Sequence, residues 1–293
     1  MINTIMESIL IMSISIITDT TCDISKDEWE RLKITVLPLT VRFDDEAFLD
    51  VLEIDTDTFF RRLEKSKKLP STSLIPPAVF EEAFKNELDK GNDVIAILLS
   101  SQMSGTYNSA LIAKQMLGSD NIYIVDSRNV TFGLGLLVYE AIRLRDIGFS
   151  AKEVFEKIEE CKSRVQVLAI LGDLKYVKMG GRLSATSAFF ANILNIRPIV
   201  EVNFKMGQIH VYGKARGIKA CMEYVNKEIL KLGIDEERQV IVANASAKEL
   251  ENQFVESIRN VTDRELIFGR VGSAVGAYCG PNSVGISFFK KNK

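Results

Sequence analysis

Short apolar runs alternate with amphipathic stretches through the first half of the chain, and that alternation restricts the fold more than any single motif does. Residues 13–20 (SISIITDT), 34–43 (ITVLPLTVRF), 93–100 (DVIAILLS) and 123–127 (YIVDS) read as strands. Helical patterns fall between them at 25–32, 57–66, 77–91 and 105–117. Parallel strands need a crossover that packs back over the sheet, so strand and helix in turn predict a mostly parallel sheet covered on both faces. Two further helical stretches, 132–148 and 150–164, follow, the second opened by Ser150 with Glu153 three places on, the signature of a capping box.

Beyond residue 165 the order changes. A strand at 165–171 is followed by LKYVKMGGR (174–182), an apolar helix at 187–195 and a hairpin over 197–215 that turns at Lys205-Met206-Gly207. Helices at 221–233 and 247–260 flank a strand at 239–245, and strands at 265–271 and 284–289 close the chain. The expected fold is α/β: an N-terminal three-layer α/β/α domain over 13–165 and a second, α+β domain over 166–293. No period of about 20 to 50 residues recurs, which argues against a repeat array. Residues 1–12 read as an extension: they lack a basic n-region and a small-residue cleavage site, and they fall short of the ~18 apolar residues a membrane span requires.

Two hydroxyl-rich turns each precede an amphipathic helix: Pro70-Ser71-Thr72-Ser73, and Ser100-Ser101-Gln102-Met103-Ser104-Gly105-Thr106. The first leads through Pro76-Pro77 into a helix with proline in its first turn and Gly91 just past its end. In the second, Ser104 stands where an N-cap would, so its hydroxyl and the free amides of the first turn can converge on a carboxylate or another anion. Ordinary capping explains the same residues, and serines and threonines before helices usually do nothing more.

Several chemistries are disfavoured. With 37 basic and 39 acidic residues the net charge is −2, which leaves no broad basic field for nucleic acid or an anionic membrane. The chain has one histidine, His210, and it alternates with Ile209 and Val211 in the second arm of the hairpin, a strand-surface position. Ser104 lacks the glycine two places earlier that a nucleophile elbow carries, so a Ser-His-Asp hydrolase fits poorly. Cys22, Cys161, Cys221 and Cys279 are dispersed, predicting free thiols in a reducing cytoplasm and no metal site. No Walker or GxGxxG loop lies between a strand and a helix to hold a nucleotide.

Six segments in order resemble one family: ITDTTCD, STS followed by proline, SSxxSGTxxSA, YIVDS with Gly133 and Gly135, KxGGR from Lys178 to Arg182, and GxYCGPNSVG. Together they resemble the DegV family of bacterial fatty-acid-binding proteins over residues 13–293. The resemblance implies two domains with a long-chain fatty acid between or beneath them. It also implies a carrier that is not itself an enzyme, presenting the carboxylate to a separate fatty acid kinase for phospholipid synthesis. Matched motif to motif, the carboxylate ligands are Thr72 and Ser104. The family histidine of GxHxGPG falls on Tyr278, and the last glycine of that motif on Asn282. Tyrosine can still donate a hydrogen bond but, with a pKa near ~10, carries no positive charge at pH 7. Met179 replaces a common arginine in KxGGR, while Arg182 remains as a candidate contact for the head group or a partner.

The hydroxyl turns suit such a ligand energetically. A tail of about 14 buried methylenes at ~0.8 kcal/mol each supplies on the order of 11 kcal/mol before ordering costs. Two hydroxyls contribute ~1.5 to 3 kcal/mol each and fix which end faces out. Phe189, Phe190, Ile193, Leu194 and Ile196 read either as a tunnel wall or as plain core, and Gly180-Gly181 either as a stop presenting Lys178 and Arg182 or as a bare turn. An enzyme for a small anion and a lipid-responsive regulator are the alternative readings.

Overall fold

The computed structural model describes residues 13–184 and 196–292. The apolar helix expected at 187–195 lies outside the described residues. The chain opens with β1 (Ile14–Asp19), α1 (Lys26–Leu32) and β2 (Ile34–Leu37), then β3 (Thr40–Phe43), β4 (Glu46–Leu49), α2 (Thr56–Lys65) and β5 (Ser71–Ser73). It continues through α3 (Pro77–Asp89), β6 (Asp93–Leu98), α4 (Thr106–Leu117), β7 (Ile122–Asp126), α5 (Phe132–Asp146) and α6 (Ala151–Cys161).

Strands β1, β2, β6 and β7 form a sheet in the order β2-β1-β6-β7, parallel throughout. Alternate residues separate its two faces: Ile16, Ile95, Ile97 and Val125 join the core beneath α5 and α6, while Ile17, Val94, Ala96 and Leu98 join Phe80, Phe84, Ala110 and Ala113 of α3 and α4. This is the three-layer arrangement the alternation predicts. The capping box at Ser150 and Glu153 is present, and Gly91 takes φ +81 beyond α3.

The single strand expected over 34–43 is two. Pro38 has no N–H to donate, so the parallel ladder ends at Leu37, and β3 leaves for a small antiparallel sheet of order β4-β3-β5. There Ser71–Ser73, read in sequence as a turn, forms an edge strand in which Thr72 pairs with Val41.

The later elements are β8 (Val165–Ile170), α7 (Lys175–Met179), β9 (Ile196–Asn203), β10 (Gln208–Arg216), α8 (Ile218–Leu232), β11 (Val240–Ala245), α9 (Lys248–Ile258), β12 (Leu266–Arg270), α10 (Ser273–Cys279) and β13 (Ser283–Phe289). Their sheet runs β10-β9-β8-β13-β11-β12, with only β11 and β12 parallel. Helices α8 and α9 cover one face through Val225, Ile229, Phe254 and Ile258. On β10, His210 pairs with Glu201 across the hairpin and hydrogen-bonds Ser184 Oγ through Nδ1 at 3.2 Å.

Two side chains of the parallel half grip the tip of that hairpin. Ser100 Oγ donates to the Gly207 carbonyl at 2.6 Å, and Arg128 Nη2 donates to the Lys205 carbonyl at 2.7 Å, with its Nε 3.4 Å from the Phe204 carbonyl. No helix among the described residues is long and apolar enough to cross a membrane.

Candidate functional site

In an open parallel sheet, ligands collect outside the carboxyl ends of the strands, where neighbouring connections leave in opposite directions. Here the chain leaves β1 toward β2 and later returns to β6 on the other side. All four strand ends give residues to one cavity: Thr21 after β1, Leu39 after β2, Leu99 and Met103 after β6, and Val130, Thr131 and Phe132 after β7. The six-stranded sheet closes the opposite side with Val167, Ala169, Leu171, Val200, Val202 and β13. The volume is about 130 Å³ and the wall is almost wholly apolar. An apolar cavity of that order stays dry and takes apolar guests.

Thr72, Ser104, Arg182 and Tyr278 all stand at this one cavity, although they are spread over more than 200 residues of chain. Thr72 Oγ1 and the Tyr278 hydroxyl are 2.7 Å apart. Ser104 is one place earlier than the N-cap its position suggested: Gly105 caps α4, because the tight turn closed by Met103 N and Ser104 N on the Ser100 carbonyl delays the helix by a residue. Ser104 Oγ instead accepts from the Thr106 amide at 3.2 Å and lies 2.9 Å from Thr106 Oγ1. Thr106, fully buried, also accepts from the Ile75 amide at 3.4 Å and so ties the two hydroxyl segments together.

Tyr278 lies on α10, a seven-residue helix between the two strands expected to close the chain, where the sequence analysis places no element. SAVGAYC is too short to display a helical period, which is why the element escapes notice. Gly180 and Gly280 let α7 and α10 interlock. A Cβ on Gly180 would lie 2.6 Å from Tyr278 Cε1 and closer still to Cδ1; one on Gly280, at φ +68, would strike the Tyr176 ring. The double glycine of KxGGR therefore ends α7 and seats the Tyr278 ring. Arg182 follows: its guanidinium lies 4.6 Å from the centre of that ring, its Nε donates to the Met103 carbonyl at 3.2 Å, and Nη1 donates to the Gly180 carbonyl. No carboxylate pairs with Arg182 among the described residues.

Sequence reasoning gave no role to three buried acids beside the cavity. Thr21 Oγ1 donates to Asp19, which also accepts from the Leu99 amide at 2.8 Å and so bridges the ends of β1 and β6. Thr131 Oγ1 donates to Asp23 at 2.6 Å, and the Ser273 amide to Asp50 at 3.0 Å. Burial pushes the Asp19 carboxyl up to about 6 against the opposing pull of its hydrogen bonds. Burial also raises Asp23 and Asp50, with the charges of Asp50 and Asp19 adding to the Asp23 shift. The signal was present in ITDTTCD, but an acid next to threonines has no distinctive spacing. Cys279 also lines the cavity, and burial raises its thiol pKa, so it is a poor nucleophile. Among the described residues the four cysteines are free.

Comparison with known proteins agrees with this architecture. The sequence model of the family described as "Uncharacterised protein, DegV family" matches residues 13–291. A DegV domain-containing protein of Clostridium perfringens is 35% identical over 268 residues, which span 92% of this chain and 95% of the relative. DegV of Bacillus subtilis, a fatty acid binding protein, shares the fold with a TM-score of 0.82 at 29% identity, covering 96% of this chain and all (100%) of that one. A stearic acid-binding protein from Eubacterium ventriosum gives 0.84 at 25% identity, covering 94% and 98%. With the expected α/β fold present and the match running almost from end to end, the chain belongs to the DegV family.

Proposed function

We propose that this protein binds a long-chain fatty acid, with the acyl chain in the apolar cavity and the carboxylate at Thr72, Ser104, Tyr278 and Arg182. One observation carries the reading: the cavity wall is almost wholly apolar, and at its mouth hydroxyls meet an arginine unpaired by any described carboxylate. Burying the chain supplies the affinity, and the mouth supplies direction. Arg182 also answers the departure at Tyr278, because it puts beside the tyrosine the positive charge that the family histidine can carry. The fatty-acid-binding relatives support the same assignment.

The four mouth residues are partly buried, not sealed, so a carboxylate held there is reachable from outside. This suits a carrier that offers its ligand to a fatty acid kinase and performs no catalysis itself. Mass spectrometry of an organic extract of the purified protein tests the binding: a long-chain fatty acid in near-stoichiometric amount is expected. A protein that yields none and gives no heat on titration with one refutes it. Phosphorylation of the bound acid by an added kinase tests the second part.

A further inference from the structure

The cavity wall contains several hydroxyls, and nearly all are already committed. Thr72 pairs with Tyr278, Ser104 with Thr106, Thr21 with Asp19 and Thr131 with Asp23. Ser283 Oγ lies between the Cys279 carbonyl at 3.2 Å and the Gly172 amide at 3.1 Å. Ser287 differs: it lines the cavity, is 2% exposed, and its hydroxyl makes no hydrogen bond among the described residues.

Its direction follows from strand alternation. Val284, Ile286 and Phe288 pack toward α8 and α9, so Ser283, Gly285 and Ser287 face the cavity, Ser287 directly across from Val167 of β8. Ser283 sits at the mouth end, bonded to the residue after Tyr278. Four residues of strand put Ser287 about 13 Å further in. An extended acyl chain, advancing about 1.3 Å per carbon from bonds of about 1.52 Å, reaches that depth roughly ten carbons on.

A buried hydroxyl without a partner is unfavourable, and so is an acyl hydroxyl carried into an apolar tunnel. Each satisfies the other, since a hydroxyl both donates and accepts. We propose that Ser287 makes this cavity a site for a fatty acid hydroxylated near the middle of its chain, with Ser287 Oγ as the hydrogen-bond partner of that hydroxyl. The inference rests on the fatty acid reading of the cavity and adds the chemical class of the chain.

Titration calorimetry with octadecanoic acid and 10-hydroxyoctadecanoic acid, on the parent and on Ser287→Ala, tests it. The parent binds the two acids within about threefold of one another. Ser287→Ala weakens the hydroxylated acid about tenfold relative to octadecanoic acid, because a site built to pair a hydroxyl rejects it once the partner is gone. Urea unfolding midpoints of the parent and the variant serve as the folding control, and Ser287→Cys, of similar volume and weak as a donor, carries the same comparison should alanine disturb the strand. Binding of octadecanoic acid with the same preference in parent and variant overturns the inference alone. A parent that binds neither acid overturns it together with the proposed function.

Discussion

Gly180 offers a test in which the same substitution should change sign with its background. Gly180 has φ −72 and ψ −11, an ordinary right-handed conformation, so alanine there costs no backbone strain. By reducing the freedom of the unfolded chain, it should add about 0.4–1 kcal/mol of stability. Against this stands the Tyr278 ring: an added Cβ lies 2.6 Å from Cε1, where ordinary contact begins at 3.4 Å, so the ring must retreat by at least about 0.8 Å. That movement lengthens the 2.7 Å contact with Thr72 to the limit of hydrogen bonding and unseats Arg182 from the ring face. Overpacking of this kind costs about 1–3 kcal/mol and a lost hydrogen bond about 1 more, so the clash wins. Gly180→Ala should therefore destabilise the protein by about 1–3 kcal/mol and weaken fatty acid binding. With Tyr278→Ala already present, the obstacle is gone and Gly180→Ala should stabilise by about 0.4–1 kcal/mol. Urea unfolding of the parent, both single variants and the double variant measures the cycle. An equal cost of Gly180→Ala in both backgrounds would refute the claim that the glycine exists to seat Tyr278.

Thr72→Ala and Ser104→Ala should each weaken fatty acid binding by ~1–3 kcal/mol without unfolding the protein, while Tyr278→Phe has a smaller effect and Tyr278→His is tolerated; calorimetry with one acid across the set checks this. A set that melts earlier yet binds as before would make these residues structural only. Arg182→Gln should cost ~1.5–3 kcal/mol of affinity for the carboxylate and flatten its salt dependence, whereas the corresponding alcohol, titrated in parallel, should be indifferent to the change. The buried acids predict a pH effect of definite sign. Asp19 has a folded pKa near 6 against an ordinary value of 3.8, so between these pH values the folded state holds a proton that the unfolded state has released. The stability associated with that proton is fully present below about pH 3.8 and is lost as pH rises through about 6, on the order of 3 kcal/mol over the window. Urea midpoints measured from pH 3.5 to 7 should show this loss in the parent, and a carboxyl titration by NMR placing Asp19 near 4 would refute its assignment.

The parallel sheet was legible because its strands are continuous apolar runs separated by helices long enough to show their period. What escaped were elements below that length. Ser71–Ser73 and Ser273–Cys279 are three and seven residues long, and their conformations are imposed by neighbours: β3 for the first, Gly180 and the Tyr176 ring for the second. Pro38 was a readable stop that the apolar run around it concealed. The mouth residues could be named because their motifs keep their order along the chain, but Thr106 and the paired glycines act through contacts that no spacing displays. The apolar cavity was illegible for a different reason. Val167, Ala169 and Val200 are the residues any strand would place in a core, and only the assembled sheets show that their face meets open space.

The grip on the hairpin tip bears on how this protein can vary. Ser100 and Arg128 reach the carbonyls of Phe204, Lys205 and Gly207, atoms that every amino acid supplies. The side chains at 204 and 205 can therefore drift without loosening the tie. Its sequence constraint is displaced to the residues that reach across and to Gly207, where φ +63 and a Ser100 Oγ 2.6 Å from any added Cβ leave room for glycine alone. A comparison of relatives that looked only for co-varying side-chain pairs would pass over this junction, although it fastens the turn bearing Ser104 to the opposite sheet.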